Sequence, residues 1–333
     1  MPDERPRLSL STPLCERLGI DVPIVQAPIG SATCPELAAA VAAAGALGTL
    51  ALTWTTPDGC AEKIRRTRAL TTRPFAVNLV LDWDPRERIA VCAREGVSLI
   101  STFWGDPTPY VDLVHEAGAQ HLHTVGSVAE AVAAAAAGVD VIVAQGGEAG
   151  GHVRGTHSTL TLVPAVVGAV GPVPVIAAGG IADARGVAAA LSLGAQGAWI
   201  GTRFLLATEA NVHDAYRARV IAAAASDAVY TEAFSGGWPD APHRVLRNAT
   251  LTAWEDAGRP APGHRPGEGD VVATSPNGIA LQRYHMAMPQ AGTGGDVEEM
   301  ALYAGQGVGL AHQCAPAADI VRELRDGVLR LLG

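Results

Sequence analysis

Lysine is almost missing from this chain, since Lys63 is the only one among 333 residues. Aspartate and glutamate outnumber lysine and arginine by 33 to 24, and the formal net charge at pH 7 is -9. A negative chain without a clustered arginine stripe or a zinc-finger spacing does not attract a phosphate backbone. Nucleic acid is therefore not an expected partner, and any anion-binding site has to use arginine or backbone N–H groups.

Cysteines are few, odd in number and widely spread, and no Cys-x-x-Cys pair occurs among the five. This usage is typical of a reducing compartment, so we expect a cytoplasmic protein. No apolar run reaches the ~18 residues that a membrane span needs, and the segment Met1–Arg7 has no apolar signal core. No His, Asp and Glu cluster has the spacing of a metal site. We therefore expect neither a membrane nor a metal in the function of this chain.

Charged residues make up only 17% of the chain and hydrophobic residues 48%, so a large core can be buried. Short β-rich runs alternate with alanine-rich, helix-prone runs from Pro23 to Phe204. The runs predicted as strands are continuous apolar stretches, as expected when both faces of a parallel strand are covered. They are Pro23–Ile29, Leu47–Leu52, Pro74–Leu81, Leu99–Trp104, Gln120–Val125, Val139–Gln145, Val173–Ala178 and Gly197–Phe204.

The segments between these runs are predicted as helices, and several are followed by a glycine that takes the left-handed cap conformation easily. The helices are Pro35–Ala44, Thr56–Ala69, Pro85–Glu95, Pro109–Ala117, Ser127–Ala137, Leu160–Val170 and Asp183–Leu193, and the cap glycines are Gly45, Gly96, Gly118, Gly138 and Gly194. Eight βα units predict right-handed crossovers and closure into a (β/α)8 TIM barrel, an α/β fold. An open doubly wound sheet is the lesser alternative, because the first βα turn, Gln26–Ser31, has no Gly-x-Gly-x-x-Gly pattern.

The pattern changes after the eighth strand, which predicts three regions. Residues 1–225 form the barrel, closed by a helix over Ala210–Ala225. Residues 226–296 are predicted as an irregular lid or small substrate subdomain, because they are rich in Gly, Pro, Arg and His and lack periodicity. Residues 297–333 are predicted as C-terminal helices that pack on the barrel, over Val297–Ala311 and Ala317–Leu332.

A glycine-rich loop follows the sixth strand and contains Gly150 and His152. Glycine has no Cβ, so such a loop lets the backbone approach a flat ligand closely. His152 is the side chain of this loop that can exchange a proton near neutral pH without a large pKa shift. The alternative is a loop histidine bonded to backbone. We favour a catalytic His152 because a surface histidine does not need so many glycines.

Two further glycine turns end the seventh and eighth strands. In a closed parallel barrel the ligand lies at the carboxyl ends of the strands, and these two turns form the usual phosphate cradle of the fold. The residues concerned are Gly179 and Gly180 after strand seven and Trp199, Ile200, Gly201 and Thr202 at strand eight. Thr202 and Arg203 are the available side-chain donors. The alternative is that the glycines only permit tight turns.

Small or amide residues end three other strands in the same ring of positions. Ala27 and Pro28 leave room for a planar ring across the barrel mouth, and the amides of Asn78 and Gln145 can donate to and accept from such a ring. Amides that satisfy loop backbone are the alternative. His121 and His123 alternate along strand five, so one of them could line the barrel. His157, His264, His285 and His312 lie in loops or at helix ends.

Three motifs resemble those of the FMN-dependent nitronate monooxygenases, formerly called 2-nitropropane dioxygenases. They are Gln145–His152, Ile176–Asp183 and Gly201–Phe204, and the resemblance extends to Pro23–Pro28, Pro74–Leu79 and Ala304–Gly307. It therefore spans nearly the whole chain. The FMN-dependent enoyl-acyl carrier protein reductases share the Glu-Ala-Gly-Gly-His loop and the Gly-Gly-Ile-Ala-Asp turn, so these motifs identify the flavin fold better than the substrate.

The resemblance implies a TIM barrel with FMN, whose phosphate lies on Gly180 and on the turn formed by Trp199, Ile200, Gly201 and Thr202. It also implies that Ala27, Asn78, Gln145 and Gly150 hold the ring and the ribityl chain, and that His152 is the catalytic histidine. Some relatives have a lysine near the end of strand five. This chain offers only His121, His123 and Thr124 there, so a contact made by that lysine has no counterpart.

The activity implied is the oxidation of alkyl nitronates or nitroalkanes by dioxygen through a flavin semiquinone, with release of nitrite and a carbonyl product. A homodimer is compatible with the sequence. One alternative is an FMN-dependent reductase that takes hydride from NAD(P)H and delivers it to an enoyl thioester or a quinone. The segments Phe234–Arg247 and Gly305–Leu310 favour the monooxygenase branch. A second alternative is a barrel that binds a phosphate ligand without redox chemistry.

Overall fold

The structure is a computed structural model that describes residues 10–332. The segment Met1–Arg7, for which no secretory signal is expected, lies outside these residues. Between Ile24 and Ile200 nine strands follow one another, and all except β7 form one parallel sheet. They are β1 (Ile24–Gln26), β2 (Gly48–Ala51), β3 (Phe75–Val80), β4 (Leu99–Phe103), β5 (Gln120–Val125), β6 (Val141–Gln145), β7 (Gly151–His152), β8 (Val175–Ala178) and β9 (Gly197–Ile200).

The parallel sheet closes into a barrel. Its strands follow the order β1-β9-β8-β6-β5-β4-β3-β2. The first and last strands of this order are joined, because the Gln26 N–H donates to the Leu47 carbonyl at 2.8 Å and the Leu47 N–H donates to the Ile24 carbonyl at 3.0 Å. The predicted eight-stranded α/β barrel is confirmed.

Helices alternate with these strands as predicted, and the ends of those predicted between barrel strands differ from expectation by at most two residues. They are α1 (Pro13–Leu18), α2 (Pro35–Ala43), α3 (Pro57–Leu70), α4 (Arg86–Arg94), α5 (Val111–Glu116), α6 (Val128–Ala136), α7 (Thr159–Val170), α8 (Ala184–Ser192) and α9 (Asp214–Ala222). The five glycines predicted as helix caps all have positive φ, between 65° and 96°. Asp183 caps α8 by accepting from the N–H groups of Arg185 at 3.0 Å and Gly186 at 3.1 Å.

Helix α1 closes the amino end of the barrel. Thr12 Oγ1 donates to the Gln196 carbonyl at 2.7 Å and Arg17 to the Asp140 carbonyl at 3.2 Å, just before β9 and β6 begin. Leu14 and Leu18 of α1 pack into a buried apolar cluster with side chains from the barrel strands and their ends. Those side chains include Val25, Leu47, Ala76, Leu99, Leu122, Val141, Val143 and Ile176.

The segment after the barrel is more ordered than predicted. Strands β10 (Ala228–Thr231) and β11 (His243–Leu246) pair antiparallel, and β11 also pairs with β7. Helix α10 (Ala249–Asp256) follows, and then a second small sheet of β12 (Val271–Thr274), β13 (Ala280–Gln282) and β14 (Gly294–Gly295). The residues predicted as an irregular lid or small subdomain, 226–296, therefore contain regular strands that the sequence pattern did not indicate, because strands this short leave no periodicity to read.

Four predicted elements differ in extent or are missing. The first strand, expected to reach Ile29, ends at Gln26, and the closing helix expected over Ala210–Ala225 is α9, Asp214–Ala222. The eighth strand, expected to reach Phe204, ends at Ile200, and Thr202–Leu206 is a 3-10 helix. The helix predicted over Val297–Ala311 is absent, since this stretch contains only two short 3-10 turns, Val297–Glu299 and Gln306–Leu310. The last helix, α11 (Ala317–Leu332), is present and packs on α8 and α2. Among residues 10–332, no helix has both the length and the apolar character needed to cross a bilayer.

Candidate active site

A cavity of about 370 Å³ opens at the carboxyl ends of the barrel strands, where the fold predicts a ligand site. Every predicted site residue except Ile200 and Arg203 lines this cavity. The lining includes His152, Ala27, Asn78, Gln145, Gly150, Gly179, Gly180, Trp199, Gly201 and Thr202. Residues at the ends of β1, β3, β6, β8 and β9 are therefore brought together as expected.

Two residues of the predicted phosphate turn face elsewhere. The Ile200 side chain is fully buried in the core between barrel and helices, so only its backbone could serve a ligand. Arg203 donates to the Gln313 carbonyl at 3.0 Å and to Glu323 at 3.2 Å, and it does not line the cavity. The expectation that Arg203 donates to a phosphate is therefore not supported. Thr202 Oγ1 accepts from the Gly305 N–H at 3.0 Å, which leaves its hydroxyl proton free to donate.

The glycines of the site are required for different reasons. Gly180 has a φ of +70°, which a residue with a side chain rarely adopts. A Cβ on Gly150 would lie 2.3 Å from the Gly305 nitrogen, so this glycine is needed for chain packing rather than for ligand approach. Gly201 has neither constraint, since its φ is -102° and the nearest atom to an added Cβ would be Ala27 Cβ at 3.7 Å. Its missing side chain keeps the cavity wall open.

The two predicted amides are held by neighbouring groups. Asn78 Nδ2 donates to Ser101 Oγ at 2.9 Å, which leaves the amide oxygen as the group available to a ligand. Gln145 braces the following loop, because its Nε2 donates to the His152 carbonyl at 3.2 Å and its Oε1 accepts from the Arg154 N–H at 3.2 Å. Gln145 therefore supports the loop backbone as well as lining the cavity.

Glu148 of the glycine-rich loop has a structural role. Its carboxylate accepts from Ser158 Oγ at 2.9 Å and from the Thr159 N–H at 2.9 Å, at the start of α7. Burial raises the pKa of this carboxyl, but the hydrogen bonds outweigh burial and the net pKa is lowered. The ionised carboxylate thus ties the loop to a helix N-terminus.

His152 is placed by strand pairing between distant segments. It pairs with His243 of β11, and the Val153 N–H donates to the Pro242 carbonyl at 2.9 Å. Within the described residues, no group hydrogen-bonds to the buried Nε2 of His152. Burial holds the pKa of His152 well below its usual range, and the neighbouring His243 lowers it further. The imidazole is therefore neutral at pH 7.

Aromatic rings surround this imidazole. The Trp238 ring centroid lies 4.0 Å from that of His152, and those of Tyr303 and Trp104 lie 5.5 Å and 6.3 Å away. Trp238 Nε1 donates to Asp82 Oδ2 at 2.7 Å. None of these neighbours was predicted from the sequence. For Trp238, the one sequence signal is its position directly after Gly236 and Gly237 in the segment that follows the barrel.

The other histidines named in the sequence analysis differ in whether they line the cavity. His285, expected only as a loop residue, lines the cavity. His121 and His123 are buried but do not line it, and Thr124 of the same strand does. Both rings contact Thr102 Oγ1 at 2.7 Å. His121 and His123 therefore form a buried polar cluster behind the barrel wall.

The residues present fit FMN. The glycine turns after β8 and β9 present backbone groups to the cavity, and Thr202 offers a hydroxyl donor. Gly201 leaves the cavity wall open, although its backbone conformation and its packing do not require a glycine. Asn78 and Gln145 add amide groups to the cavity lining, which can hydrogen-bond to a flat polar ring. This donor set suits an anionic phosphate with a planar heterocycle.

Comparison with known proteins identifies one family, and the relatives of this chain have different named activities. A model of the family described as nitronate monooxygenase matches residues 11–86 and 82–327. The chain is 40% identical over 255 residues to a (3aS,4S,5R,7aS)-5-hydroxy-7a-methyl-1-oxo-octahydro-1H-indene-4-carboxyl-CoA dehydrogenase of Mycobacterium tuberculosis, covering 76% of this chain and 70% of that protein. It is 34% identical to a nitronate monooxygenase of Paraburkholderia phytofirmans, covering 94% and 95%. The structure of FabK from Thermotoga maritima superposes with a TM-score of 0.80 at 29% identity, covering 97% and 98%.

Proposed function

The chain belongs to the nitronate monooxygenase family of oxidoreductases, and we propose that it oxidises nitroalkanes and their nitronates with bound FMN and dioxygen. The observation that carries this proposal is the neutral imidazole of His152 on the cavity wall. A neutral imidazole has a lone pair that can accept the proton on the carbon next to a nitro group.

FMN, when bound, supplies the electron-carrying ring. The turns at Gly179–Gly180 and Gly201–Thr202 would hold its phosphate, and Asn78 would orient its ring. His152 accepts the substrate proton at a ring nitrogen, and Trp238 keeps water away from that imidazole. Dioxygen would be the oxidant: two nitroalkane molecules and one dioxygen would give two carbonyl products and two nitrite ions with their protons, so that at each carbon the bond to nitrogen breaks and a bond to oxygen forms.

A second candidate is a redox reaction of a thioester. The relative from Mycobacterium tuberculosis named as a carboxyl-CoA dehydrogenase supports it. The proton on the carbon next to a thioester carbonyl needs the same kind of base. A reductase that takes hydride from NAD(P)H belongs to this candidate as well. Membership in an oxidoreductase family argues against a barrel without redox chemistry.

A panel assay on the FMN-loaded protein tests the proposal. Dioxygen uptake with nitrite release on adding nitroethane or its nitronate is the expected result. Anaerobic mixing with NADH, NADPH or an acyl-CoA is run in parallel. Rapid bleaching of the flavin by one of these, without nitronate-dependent dioxygen uptake, would replace the proposal with the second candidate.

A further inference from the structure

The cavity lining formed by the described residues carries no formal charge. Among these residues, no Asp, Glu, Lys or Arg side chain lines the cavity. His152 and His285 contribute imidazoles to the lining, and burial lowers the pKa of both. A nitronate formed beside His152 can pair with the imidazole that has taken its proton. Any other ionised group bound here away from the phosphate turns would lose water without gaining a counter-ion.

Tryptophan side chains form part of the cavity wall. Trp54 and Trp238 line the cavity, and Trp83 packs against both, with ring centroids 5.1 Å from Trp54 and 5.0 Å from Trp238. We call these three residues the tryptophan wall. Trp54 is 48% exposed at the mouth, so a large apolar surface faces solvent beside the cavity. Apolar side chains also line the cavity at Leu281, Met286 and Met288.

We propose that the tryptophan wall binds a bulky uncharged hydrocarbon group next to the reactive carbon of the substrate. A substrate that carries an ionised group at that place, in addition to its nitro or nitronate group, is excluded. The statement that the substrate has a reactive carbon here rests on the proposed function, whereas the preference for an uncharged hydrocarbon group does not. Each buried methylene strengthens binding by about fourfold, and an unpaired carboxylate in the same place weakens it. The site therefore selects long or cyclic apolar nitroalkanes over short or carboxylated ones.

Calorimetric titration of the FMN-loaded protein with 1-octanol and with octanoate tests the binding preference, because the two ligands match in length and differ in charge. We expect 1-octanol to bind at least about tenfold more tightly. Trp54→Ala should weaken 1-octanol binding by about tenfold, and Trp54→Phe by less. Leu160→Ala is the control, since Leu160 is 65% exposed but lies outside the cavity lining. Octanoate binding as tight as octanol binding, or an unchanged affinity in Trp54→Ala, would overturn the inference.

Turnover separates this inference from the proposed function. We expect kcat/KM to rise from nitroethane to 1-nitrohexane, and to be much lower for 3-nitropropionate than for 1-nitrobutane. If no nitro compound is consumed while octanol binds as expected, the proposed function fails and the binding inference stands. If nitro compounds are consumed but 3-nitropropionate matches 1-nitrobutane, the binding inference fails and the proposed function stands.

Discussion

The indole of Trp238 stacks on the imidazole of His152, with ring centroids 4.0 Å apart and planes 33° apart. Trp238 comes from the segment after the barrel and is 3% exposed. Its Nε1–H is anchored on Asp82, which follows β3. The anchored indole packs against the imidazole, so it both positions the ring and shields it from solvent.

Loss of this anchor should raise the pKa of His152. In Trp238→Ala or Asp82→Ala, water reaches the imidazole and the penalty for its charged form falls. The acid limb of the pH profile of kcat/KM should therefore move to higher pH. Asp82→Asn keeps an oxygen acceptor and should stay close to the original profile. Trp254→Phe is the control, because Trp254 Nε1 donates to the Pro260 carbonyl outside the cavity. An acid limb that does not move in Trp238→Ala would remove Trp238 from this role.

Removal of the imidazole should slow proton transfer without releasing the cofactor. We expect His152→Ala to keep FMN and to lower turnover of neutral nitroethane by about 100-fold, the usual size of a general-base effect. The turnover of the preformed nitronate should fall less in this variant, because the proton next to its nitro group has already been removed. His157→Ala is the matched control, because His157 is an exposed histidine of the same loop. Equal rates for His152→Ala and the original protein would contradict a base role.

Stability should fall as the pH drops below 6.5, the ordinary pKa of a histidine. Burial lowers the pKa of His121 to about 4, of His123 to about 3 and of His243 to about 4. In this range the unfolded chain binds protons that the folded chain does not, so each group lowers the free energy of unfolding by about 1.4 kcal/mol per pH unit until its folded pKa is reached. Urea midpoints at neutral and mildly acidic pH measure this. A midpoint independent of pH in this window would show that these imidazoles are accessible to protons.

A methyl group at Gly201 should weaken FMN binding without unfolding the protein. Gly201 has a negative φ and room for a Cβ, so Gly201→Ala should keep its thermal midpoint. The added methyl narrows the cavity wall, and we expect FMN to bind about tenfold more weakly, as for a typical overpacked site. Gly168→Ala is the control, since a Cβ there meets nothing within 4 Å and Gly168 does not line the cavity. Flavin fluorescence titration gives both affinities. Unchanged affinity in Gly201→Ala would mean that FMN does not approach this turn.

Local sequence signals predicted most of the barrel. Continuous apolar runs and cap glycines such as Gly45 and Gly138 act within a few residues, so they can be read from the chain alone. The helix expected over Val297–Ala311 does not form, because this stretch contacts segments that are distant in the sequence. A Cβ on Gly305 would lie 2.7 Å from the Glu148 carbonyl oxygen and one on Gly307 2.8 Å from the Gly180 carbonyl oxygen, so this stretch packs its backbone against the site instead of coiling.

The sequence by itself determined the barrel, the glycine turns at its mouth and the histidine that follows the sixth barrel strand, because each is specified by residues close together in the chain. Only the tertiary structure decided what surrounds that histidine. Asp82 and Trp238 are 156 residues apart, and the pairing of His152 with His243 joins the barrel to the segment after it. Desolvation, ring stacking and the absence of charge in the described cavity lining depend on such distant contacts, and these set the chemistry of the site.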